Sequence, residues 1–345
     1  MERGTPRLLF IKILNNSFVA KDEAVLREAF SVRTFAFGFK KGGAHLLRQF
    51  QLLAWLFRNL WWADQVFIWF ADYHAFFPSM LGRLLGKRVS IVIGGFDAIK
   101  RPDLNYGGHN SAIRSQVIRW SCRWATHLLP VSAWTMQHLE QTTRLSLAQK
   151  GRVLFNGVDD PLFLPLSTTD QDRKGVVCVA SVKDLRTVRV KGLDLVKDLA
   201  RHFPDQPFCI AGVRGPALEA LKQDAPANLE LIDWVEREEL QALYSRFQVV
   251  CQFSRSESFG LALAEGMLSG CVGASVADLG TAEIIDESSG FLAPNREEAE
   301  LITVLRKSLA ASQPMRDAAQ KRIQAHFMLS QRSAQLLALI RSDAP

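Results

Sequence analysis

The feature of this sequence that most constrains its fold is an alternation of short apolar runs with amphipathic segments of helix length. The first half contains the runs LLFIKIL, QVFIWF, VSIVI and HLLPV, and the second half contains GVVCVAS, PFCIAG, LELID, QVVCQF and CVGAS. Segments with a helical period lie between them, as over Ala44–Trp62 and Asn110–Ala125. Such alternation is typical of parallel sheets with helices on both faces. The sequence therefore predicts an α/β fold.

The chain is too long for one ordinary core, since it has 345 residues. Residues 156–175 are rich in Pro, Asp and Thr and have no helical period, as expected of a linker. We expect two doubly wound domains, residues 1–160 and 161–320, that face a central cleft. A helical pattern from Gln313 to Ile340 predicts a C-terminal helix, residues 321–345, that packs back toward the first domain. In such sheets ligands bind at the carboxyl ends of the strands.

The cysteines and the N-terminal segment indicate a cytoplasmic protein. Five cysteines are scattered through apolar runs without a CxxC pair, which is typical of buried thiols in a reducing compartment. The stretch LLFIKIL contains Lys12 and is too short for a signal peptide or a membrane span. The apolar region 50–77 is interrupted by charged residues, so we expect a helix and a strand there.

Charge is distributed unevenly along the chain. Residues 1–160 carry 21 Lys and Arg against 11 Asp and Glu, whereas residues 161–345 carry 21 against 24, and seven of the eight tryptophans lie in the first half. One interpretation is a basic, aromatic-rich surface for an anionic partner or the inner face of a membrane. The other is that tryptophans fill the core while Lys and Arg cover the outside. The sequence contains no recognised nucleic-acid-binding module, so we expect no nucleic-acid partner.

Several motifs of common α/β enzymes are absent from the sequence. The segment NNSFVAKDE after the first strand contains no GxGxxG, and Walker A, HExxH and GxSxG sequences are also missing. A nicotinamide dehydrogenase, a P-loop enzyme and an α/β-hydrolase are therefore disfavoured.

The stretch SRSESFGLALAEGM carries the strongest functional signal. It follows the predicted strand QVVCQF, so Glu257 lies at a strand end and Glu265 in a helix that starts near Gly260. The amides of Phe259, Gly260 and Leu261 would lie at the helix N-terminus, which favours a phosphate or sugar oxygen. Carboxylates accept hydrogen bonds from vicinal hydroxyls. Alternatively, Glu257 caps the helix and Glu265 is solvated, but the apolar flanks of Glu265 favour the functional interpretation.

These residues carry a resemblance to a known family. ESFGLALAE resembles the E-x7-E motif of the retaining glycosyltransferases of family 4, which have the GT-B fold. The segments NGVD, VKGLDLV, LIDWV and LGTAEIIDESSGFLAP resemble further stretches of the same domain. LLPVSAWTMQHL in the first half resembles a late strand and helix of the family. The match spans nearly all of residues 150–295 and is weaker before them.

The resemblance implies roles for residues of the second domain. Glu265 would bind the ribose of a sugar nucleotide, and Glu257 would bind the transferred sugar. The backbone amides around Phe259, Gly260 and Leu261 would contact the sugar and the distal phosphate. Trp234 and Val235 would line the base pocket, although Trp234 could equally fill an ordinary core or interface position.

The resemblance also implies a set of cations. Lys191 would neutralise the leaving diphosphate together with Arg186, and fixed cations would lower the barrier by stabilising the charge that develops there. The segment VKDLRTVRVKG reads as a longer loop than is usual, so Arg189 or Lys183 are alternatives to Arg186. The one Asp-x-Asp sequence, Asp170 to Asp172, falls within the expected linker, and we expect no metal and no other cofactor.

The first half departs from the family pattern. Many members carry a His-Asp pair where this chain has Gly94, Gly95, Phe96 and Asp97, so only the aspartate is matched. The two glycines would let the backbone approach the donor sugar or the acceptor. His74 and, in the second half, Thr281 are further candidates for donor or acceptor contacts.

The resemblance implies a retaining, metal-independent glycosyltransferase. It would move a sugar from a nucleotide sugar to a glycan or lipid-linked acceptor, with cell-surface polysaccharide synthesis as the expected context. Two alternatives stay open: a sugar-nucleotide epimerase or phosphorylase of related fold, and a non-catalytic protein that binds sugar nucleotides.

Overall fold

The computed structural model describes residues 5–13, 16–38, 42–163 and 173–341. Internal contacts divide the chain into two units. The first unit runs to Phe155 and resumes at Arg332, and the second runs from Asn156 to Gln331. The sequence placed its boundaries after residues 160 and 320. Residues 164–172 of the expected linker lie outside the described residues.

The first unit contains a five-stranded parallel sheet with the strand order β2-β1-β3-β4-β5. Its strands are β1 (Arg7–Lys12), β2 (Ser31–Ala36), β3 (Gln65–Trp69), β4 (Arg88–Ile93) and β5 (His127–Pro130). Its helices are α1 (Ser17–Ala29), α2 (Gly43–Asn59), α3 (Phe76–Leu84), α4 (Ala112–Trp124), α5 (Ala133–Thr143) and most of α14 (Leu329–Arg341). Four strands coincide with the predicted runs, and β2 is the strand that the sequence did not predict.

The connections of this sheet sort its helices between two faces. The chain moves from β1 to β2 in one direction across the sheet, and from β2 to β3, β4 and β5 in the other. Because connections between parallel strands are right-handed, α2, α3 and α4 lie on one face and α1 lies on the opposite face. The central strands are buried on both faces of the sheet, as β3 shows, since all of its residues are buried.

The second unit contains a six-stranded parallel sheet with the order β11-β10-β9-β6-β7-β8. Its strands are β6 (Val176–Val182), β7 (Phe208–Val213), β8 (Leu229–Ile232), β9 (Val249–Gln252), β10 (Val272–Val276) and β11 (Gly290–Ala293). Its helices are α6 (Asp160–Phe163), α7 (Leu185–Lys191), α8 (Leu193–Ala200), α9 (Pro216–Lys222), α10 (Leu240–Ser245), α11 (Leu261–Leu268), α12 (Glu298–Leu309) and α13 (Gln313–His326).

Two segments differ from the expectation. The helix predicted from Gln313 to Ile340 is two helices, α13 and α14, which are separated at Phe327. The break arises because the backbone there pairs with another segment: the Val158 N–H donates to the Phe327 carbonyl at 2.8 Å, and the Leu329 N–H donates to the Val158 carbonyl at 2.7 Å. The segment expected to be a long loop before Gly192 is largely helix α7.

All five cysteines are buried and free, as the sequence predicted. Burial raises the pKa of the Cys122 thiol well above its usual range, so this thiol is held in its unreactive form. In the part of the chain that the structure describes, no helix combines the length and the apolarity needed to cross a bilayer.

Candidate functional site

The loop between β9 and α11 is shaped by Gly260. This residue has φ of +100°, a backbone conformation that residues with a side chain rarely adopt. A Cβ atom at Gly260 would lie 2.5 Å from Cγ2 of Thr281 and 2.7 Å from Oε1 of Gln252. The glycine therefore lets the start of α11 pack against the end of β9 and the segment after β10.

Glu257 lies in this loop and accepts three hydrogen bonds. Its Oε2 atom accepts from Lys191 Nζ at 2.7 Å and from Gln252 Nε2 at 2.7 Å, and its Oε1 accepts from the Ser258 N–H at 3.1 Å. The side chain is only 11% exposed. A carboxylate with a cation and an amide on one oxygen is fixed in position before any ligand arrives.

The approach of Lys191 to Glu257 follows from a close backbone contact. Lys191 is the last residue of α7, and Gly192 follows with φ of +66°. A Cβ atom at Gly192 would lie 2.2 Å from the Phe253 carbonyl oxygen. The Arg255 N–H also donates to the Val190 carbonyl at 2.8 Å. The end of α7 is therefore held against the residues that follow β9.

Glu265 lies inside α11 and pairs with an arginine from the segment before α10. Its Oε1 atom accepts from Arg237 Nη1 at 3.2 Å, and the Glu265 side chain is 8% exposed. The Arg237 guanidinium also lies 5.2 Å from the centre of the Phe163 ring. A buried carboxylate needs such a partner, because an unpaired one is costly.

The three residues expected to supply backbone amides lie at the start of α11. Gly260 precedes the helix, Leu261 is its first residue, and no described side chain caps this end. The ring of Phe259 is buried and packs edge-on against Phe327, with 5.7 Å between ring centres. The side chain of Phe259 thus anchors the loop, while the helix N-terminus offers its amides to an anion or a sugar oxygen.

The other predicted cations are exposed. Arg186 is at the opposite end of α7 from Lys191, with its Nε atom 3.9 Å from Asp184 Oδ1 and a side-chain exposure of 51%. Lys183 and Arg189 are also exposed. Because a helix rises about 1.5 Å per residue, Arg186 lies roughly 7–8 Å further along the axis than Lys191.

Trp234 and Val235 follow the carboxyl end of β8, as Glu257 follows the carboxyl end of β9. Trp234 is 47% exposed, and its indole N–H donates to Glu236 Oε1 at 2.9 Å. The Arg214 guanidinium lies 4.2 Å from the centre of the indole ring. An exposed aromatic ring backed by a cation is suited to stacking against a planar ligand. Thr281 differs, because it is fully buried and its hydroxyl is 2.7 Å from that of Ser275.

In the first unit, Asp97 joins two loops at the carboxyl ends of β3 and β4. Its carboxylate accepts from the Ala71 N–H at 2.8 Å and from the Gly95 N–H at 2.9 Å. Burial raises the pKa of Asp97 to about 6, although these hydrogen bonds oppose the rise. Gly94 is required by packing, since a Cβ atom there would lie 2.2 Å from the Phe70 ring. Gly94, Gly95 and Asp97 thus have an internal role in the structure.

His74 is fully buried and does not line a ligand-accessible surface. Its Nε2 atom is 2.9 Å from the Trp69 carbonyl oxygen, and burial lowers its pKa, so the ring is held neutral. In the structure His74 thus has no surface open to a ligand, and its proposed ligand contact stays a prediction. The physical reason is that the turn after β3 points this ring inward and leaves the neighbouring Asp72 and Tyr73 to line a cavity.

That cavity lies in the first unit and has a volume of about 590 Å³. Polar lining groups include Arg114, whose Nε is 3.3 Å from Asp72 Oδ1, and Gln49, whose Oε1 atom has no hydrogen-bond partner among the described residues. Aromatic side chains such as Tyr73, 5.2 Å from the Arg114 guanidinium, provide apolar surface. The mixture suits an amphiphilic ligand or a sugar.

Comparisons with known proteins bear on the identity of the chain. Residues 173–326 match the family described as glycosyl transferases group 1. The match spans most of the second unit. Comparison with curated proteins found no match.

Several solved structures share this fold. HepE of Anabaena, solved with UDP and glucose, has a TM-score of 0.73 and 15% identity, and the alignment covers 98% of this chain and 100% of HepE. Sucrose-phosphate synthase of Thermosynechococcus elongatus has a TM-score of 0.78, 15% identity and 98% coverage of each chain. The lipopolysaccharide outer core galactosyltransferase WaaB has a TM-score of 0.69 and 15% identity, with 98% of this chain and 100% of WaaB covered. The chain thus has the GT-B fold, and its residues 173–326 match the glycosyl transferases group 1 family.

Sequence reasoning missed three polar residues that the structure places beside the predicted ones. Gln252 contacts Glu257, Arg237 contacts Glu265, and Arg214 lies against Trp234. Gln252 had a signal, because it is a polar residue at the end of the apolar run QVVCQ. Arg237 and Arg214 lie in loops of ordinary composition, so nothing in the sequence distinguishes them from surface arginines.

Proposed function

We propose that this chain is a retaining glycosyltransferase, similar to those of family 4, that uses a nucleotide-sugar donor. The observation that supports this most strongly is the pair of carboxylates with different cationic partners, one in the loop after β9 and one in α11. Glu257 is paired with Lys191, and Glu265 with Arg237. Each carboxylate is nearly buried and fixed, as a site that orients a polyhydroxylated ligand requires.

Each pair has its own task in the proposed reaction. Glu265 accepts hydrogen bonds from the ribose hydroxyls, and Glu257 accepts them from the transferred sugar. Lys191 donates to the diphosphate as the glycosidic bond breaks, so its charge moves from Glu257 toward the leaving group. The amides at the start of α11 stabilise the same negative charge. Arg186 stays a candidate for a supporting cation that acts from the far end of α7.

The proposed reaction uses no metal or other cofactor. A leaving phosphate oxygen takes the proton of the attacking acceptor hydroxyl, and the new bond forms on the face from which the nucleotide departs. Lys191 and the helix N-terminus provide the electrostatic stabilisation that a metal ion provides in other enzymes. Trp234 and Val235 line the base pocket in this proposal.

The proposed acceptor is a glycan or a lipid-linked sugar, in the context of cell-surface polysaccharide synthesis. WaaB, which shares the fold, is a galactosyltransferase of the lipopolysaccharide outer core. The cavity of the first unit supports an acceptor role because Asp72, Arg114 and Gln49 offer groups for hydroxyls beside aromatic surface.

Titration calorimetry after a thermal-shift screen of UDP-, GDP-, ADP- and dTDP-sugars tests the donor site. For the sugar nucleotide that stabilises the chain most, Glu265→Gln should bind at least about tenfold more weakly, which corresponds to roughly 1.4 kcal/mol. Glu219→Gln is the matched control, since Glu219 is an exposed side chain on α9. Equal affinity of wild type and Glu265→Gln would contradict the ribose role.

Product analysis separates the proposal from its alternatives. A transferase releases nucleoside diphosphate only when an acceptor is present, apart from slow donor hydrolysis. An epimerase returns an altered sugar nucleotide, and a phosphorylase requires free phosphate. A protein that binds donor without turnover would be a sugar-nucleotide-binding protein. Nuclear magnetic resonance of the product's anomeric proton tests retention.

A further inference from the structure

The exposed apolar side chains of the chain are concentrated on one part of the first unit. Eleven large apolar side chains are exposed among the residues that the structure describes, and nine of them lie in α2, α3 or α4 or within two residues of their ends. They are Leu46, Leu47, Phe50, Phe57 and Trp61 on α2, Leu84 and Leu85 on α3, and Ile113 and Trp120 on α4. Exposed apolar side chains scattered singly need no explanation, but a concentration of this kind marks an interaction site.

The exposed residues of α2 form a stripe along the helix. Leu46, Phe50, Phe57 and Trp61 follow one another at helical spacing, and the last two are 67% and 74% exposed. The opposite side of α2 packs on the sheet, where Leu52 and Leu56 are fully buried. The helix is therefore apolar toward the core and also toward solvent.

The same three helices are basic and contain no acidic residue. The segments Gly43–Asn59, Phe76–Leu84 and Ala112–Trp124 include no Asp or Glu. They include six arginines, which are Arg48, Arg58, Arg83, Arg114, Arg119 and Arg123. Because the sheet connections place α2, α3 and α4 on one face of the sheet, their charges and apolar groups are neighbours. We call the solvent side of these three helices the basic apolar face.

We propose that the basic apolar face docks on the surface of an anionic lipid bilayer. Leu and Phe side chains enter the boundary between head groups and acyl chains, and the arginines contact lipid phosphates. Trp61 and Trp120 suit the head-group level, where an aromatic ring with a polar N–H is stable. Arg123, 5.8 Å from the centre of the Trp120 ring, brings a charge to the same level.

Charge argues against a second copy of the chain as the occupant. A symmetric dimer through this face would oppose the arginines of one copy with those of the other. The three helices carry no acidic residue to compensate, although Arg114 pairs with Asp72 in the cavity. An anionic bilayer satisfies both the apolar and the basic groups at once.

Docking has a consequence for the acceptor, which rests on the proposed function. The cavity of the first unit is lined by residues of the same three helices, namely His45, Gln49, Phe76, Phe77, Arg114 and Val117. A chain docked by the basic apolar face holds this cavity beside the lipid head groups. A lipid-linked acceptor would then reach it without leaving the bilayer.

Co-sedimentation of the full chain with vesicles tests the docking. The wild-type chain should bind vesicles of phosphatidylcholine with phosphatidylglycerol at least about tenfold more tightly than vesicles of phosphatidylcholine alone, because each basic residue near an anionic surface adds attraction. Raised salt should weaken this preference. Failure of the wild-type chain to bind the anionic vesicles would overturn the proposal.

Variants locate the surface. Phe57→Glu combined with Trp61→Glu should reduce binding to the anionic vesicles at least about tenfold, because two carboxylates oppose insertion and repel anionic lipid. Leu185→Glu is the matched control, since Leu185 is 55% exposed and lies outside the basic apolar face. Unreduced binding by the double variant, or an equal loss in Leu185→Glu, would overturn the assignment.

Donor affinity and oligomeric state are measured on the same chains, to separate loss of docking from misfolding and from dimer formation. Affinity for the sugar nucleotide should be equal in the wild type and the double variant, which shows that the variant is folded and that donor binding is separate from docking. If neither the wild type nor the double variant binds a sugar nucleotide while the wild type still binds anionic vesicles, only the proposed function fails. If the wild type is a dimer in solution, the double variant is a monomer and neither binds vesicles, the face is a subunit interface and the proposal fails.

Discussion

In the candidate site, the Lys191 amine forms an ion pair with the Glu257 carboxylate. They are 2.7 Å apart, and Gln252 Nε2 reaches the same carboxylate oxygen at the same distance. Truncation of Lys191 would remove both a charge and a hydrogen bond from Glu257. A variant that tests the charge alone must therefore keep the hydrogen bond. Lys191→Gln does so, because a glutamine amide donates without carrying charge.

We expect Lys191→Gln to reduce turnover at least tenfold, since about 1.4 kcal/mol of barrier corresponds to that factor. The charge on the departing diphosphate would lose its nearest cation. The measurement is initial release of nucleoside diphosphate at saturating donor. Lys197→Gln is the control, because Lys197 lies one helix further on and donates to the Gln223 carbonyl at 3.0 Å. A rate near that of the wild type would remove Lys191 from the catalytic machinery.

The buried carboxyl group of Asp97 predicts a pH dependence of stability. Its folded-state pKa is about 6 and its ordinary value is 3.8. A raised folded pKa means that the folded chain binds more protons between these values, so the free energy of unfolding decreases as the pH rises through about 6. Asp97 thus contributes stability that is fully present below its ordinary pKa and is lost at neutral pH.

Asp97→Asn checks this dependence. Urea unfolding of both chains at several pH values from about 4 to 7 should show that the wild type loses stability relative to the variant as the pH rises. Asparagine does not titrate, so the component assigned to Asp97 should be missing from its profile. Parallel profiles for the two chains would show that Asp97 has an ordinary pKa.

At the scale of elements, the sequence predicted what periodicity and apolarity determine. The buried strands stand out because residues on both of their faces are apolar, as β3 shows. Strand β2 does not stand out, because it lies at the edge of the sheet and its sequence SVRTFA is partly exposed and polar. The break before α14 is set by the pairing of Val158 with the Phe327–Leu329 backbone, and no local pattern encodes a partner so distant. Glu257 and Glu265 were found from their motif, whereas Arg237 was not.

The turn into α11 predicts a structural requirement at Gly260. Ala at this position would combine φ of +100° with contacts of 2.5 Å and 2.7 Å. We expect Gly260→Ala to lower the free energy of unfolding by roughly 2–4 kcal/mol from strain and overpacking together, and to weaken donor binding. Urea unfolding and calorimetry measure the two effects.

Gly215→Ala isolates the strain from the contacts. Gly215 has φ of +57°, and the nearest atom to a Cβ there is 3.9 Å away. Its ψ is −138°, a region that residues with a side chain rarely occupy, so this variant should lose about 1–3 kcal/mol from backbone strain alone and should bind donor normally if α11 is the element that matters. Equal effects of the two substitutions would show that close packing at Gly260 has no energetic role.

At the scale of the whole molecule, the first unit is completed by the last helix of the chain. Arg332 on α14 is 2% exposed and forms a bidentate pair with Asp22 of α1, through Nε to Oδ1 at 2.8 Å and Nη2 to Oδ2 at 2.7 Å. Its Nη1 donates to the carbonyls of Leu154 and Phe155, and Trp69 also donates to Asp22. Residues more than 300 positions apart thus share one buried network.

Breaking this network from one side predicts a large loss of stability. Arg332→Met should lower the free energy of unfolding by about 3–5 kcal/mol, because the Asp22 carboxylate would stay buried without its cation. Combining it with Asp22→Asn should recover part of the loss, since a neutral amide tolerates burial and still accepts from Trp69. Arg341→Met, at an exposed position of the same helix, should have little effect. Tryptophan fluorescence in urea follows the first unit, because seven of the eight tryptophans lie before residue 160. A double variant less stable than Arg332→Met would mean that the charge of Asp22 is not what makes the single variant unstable.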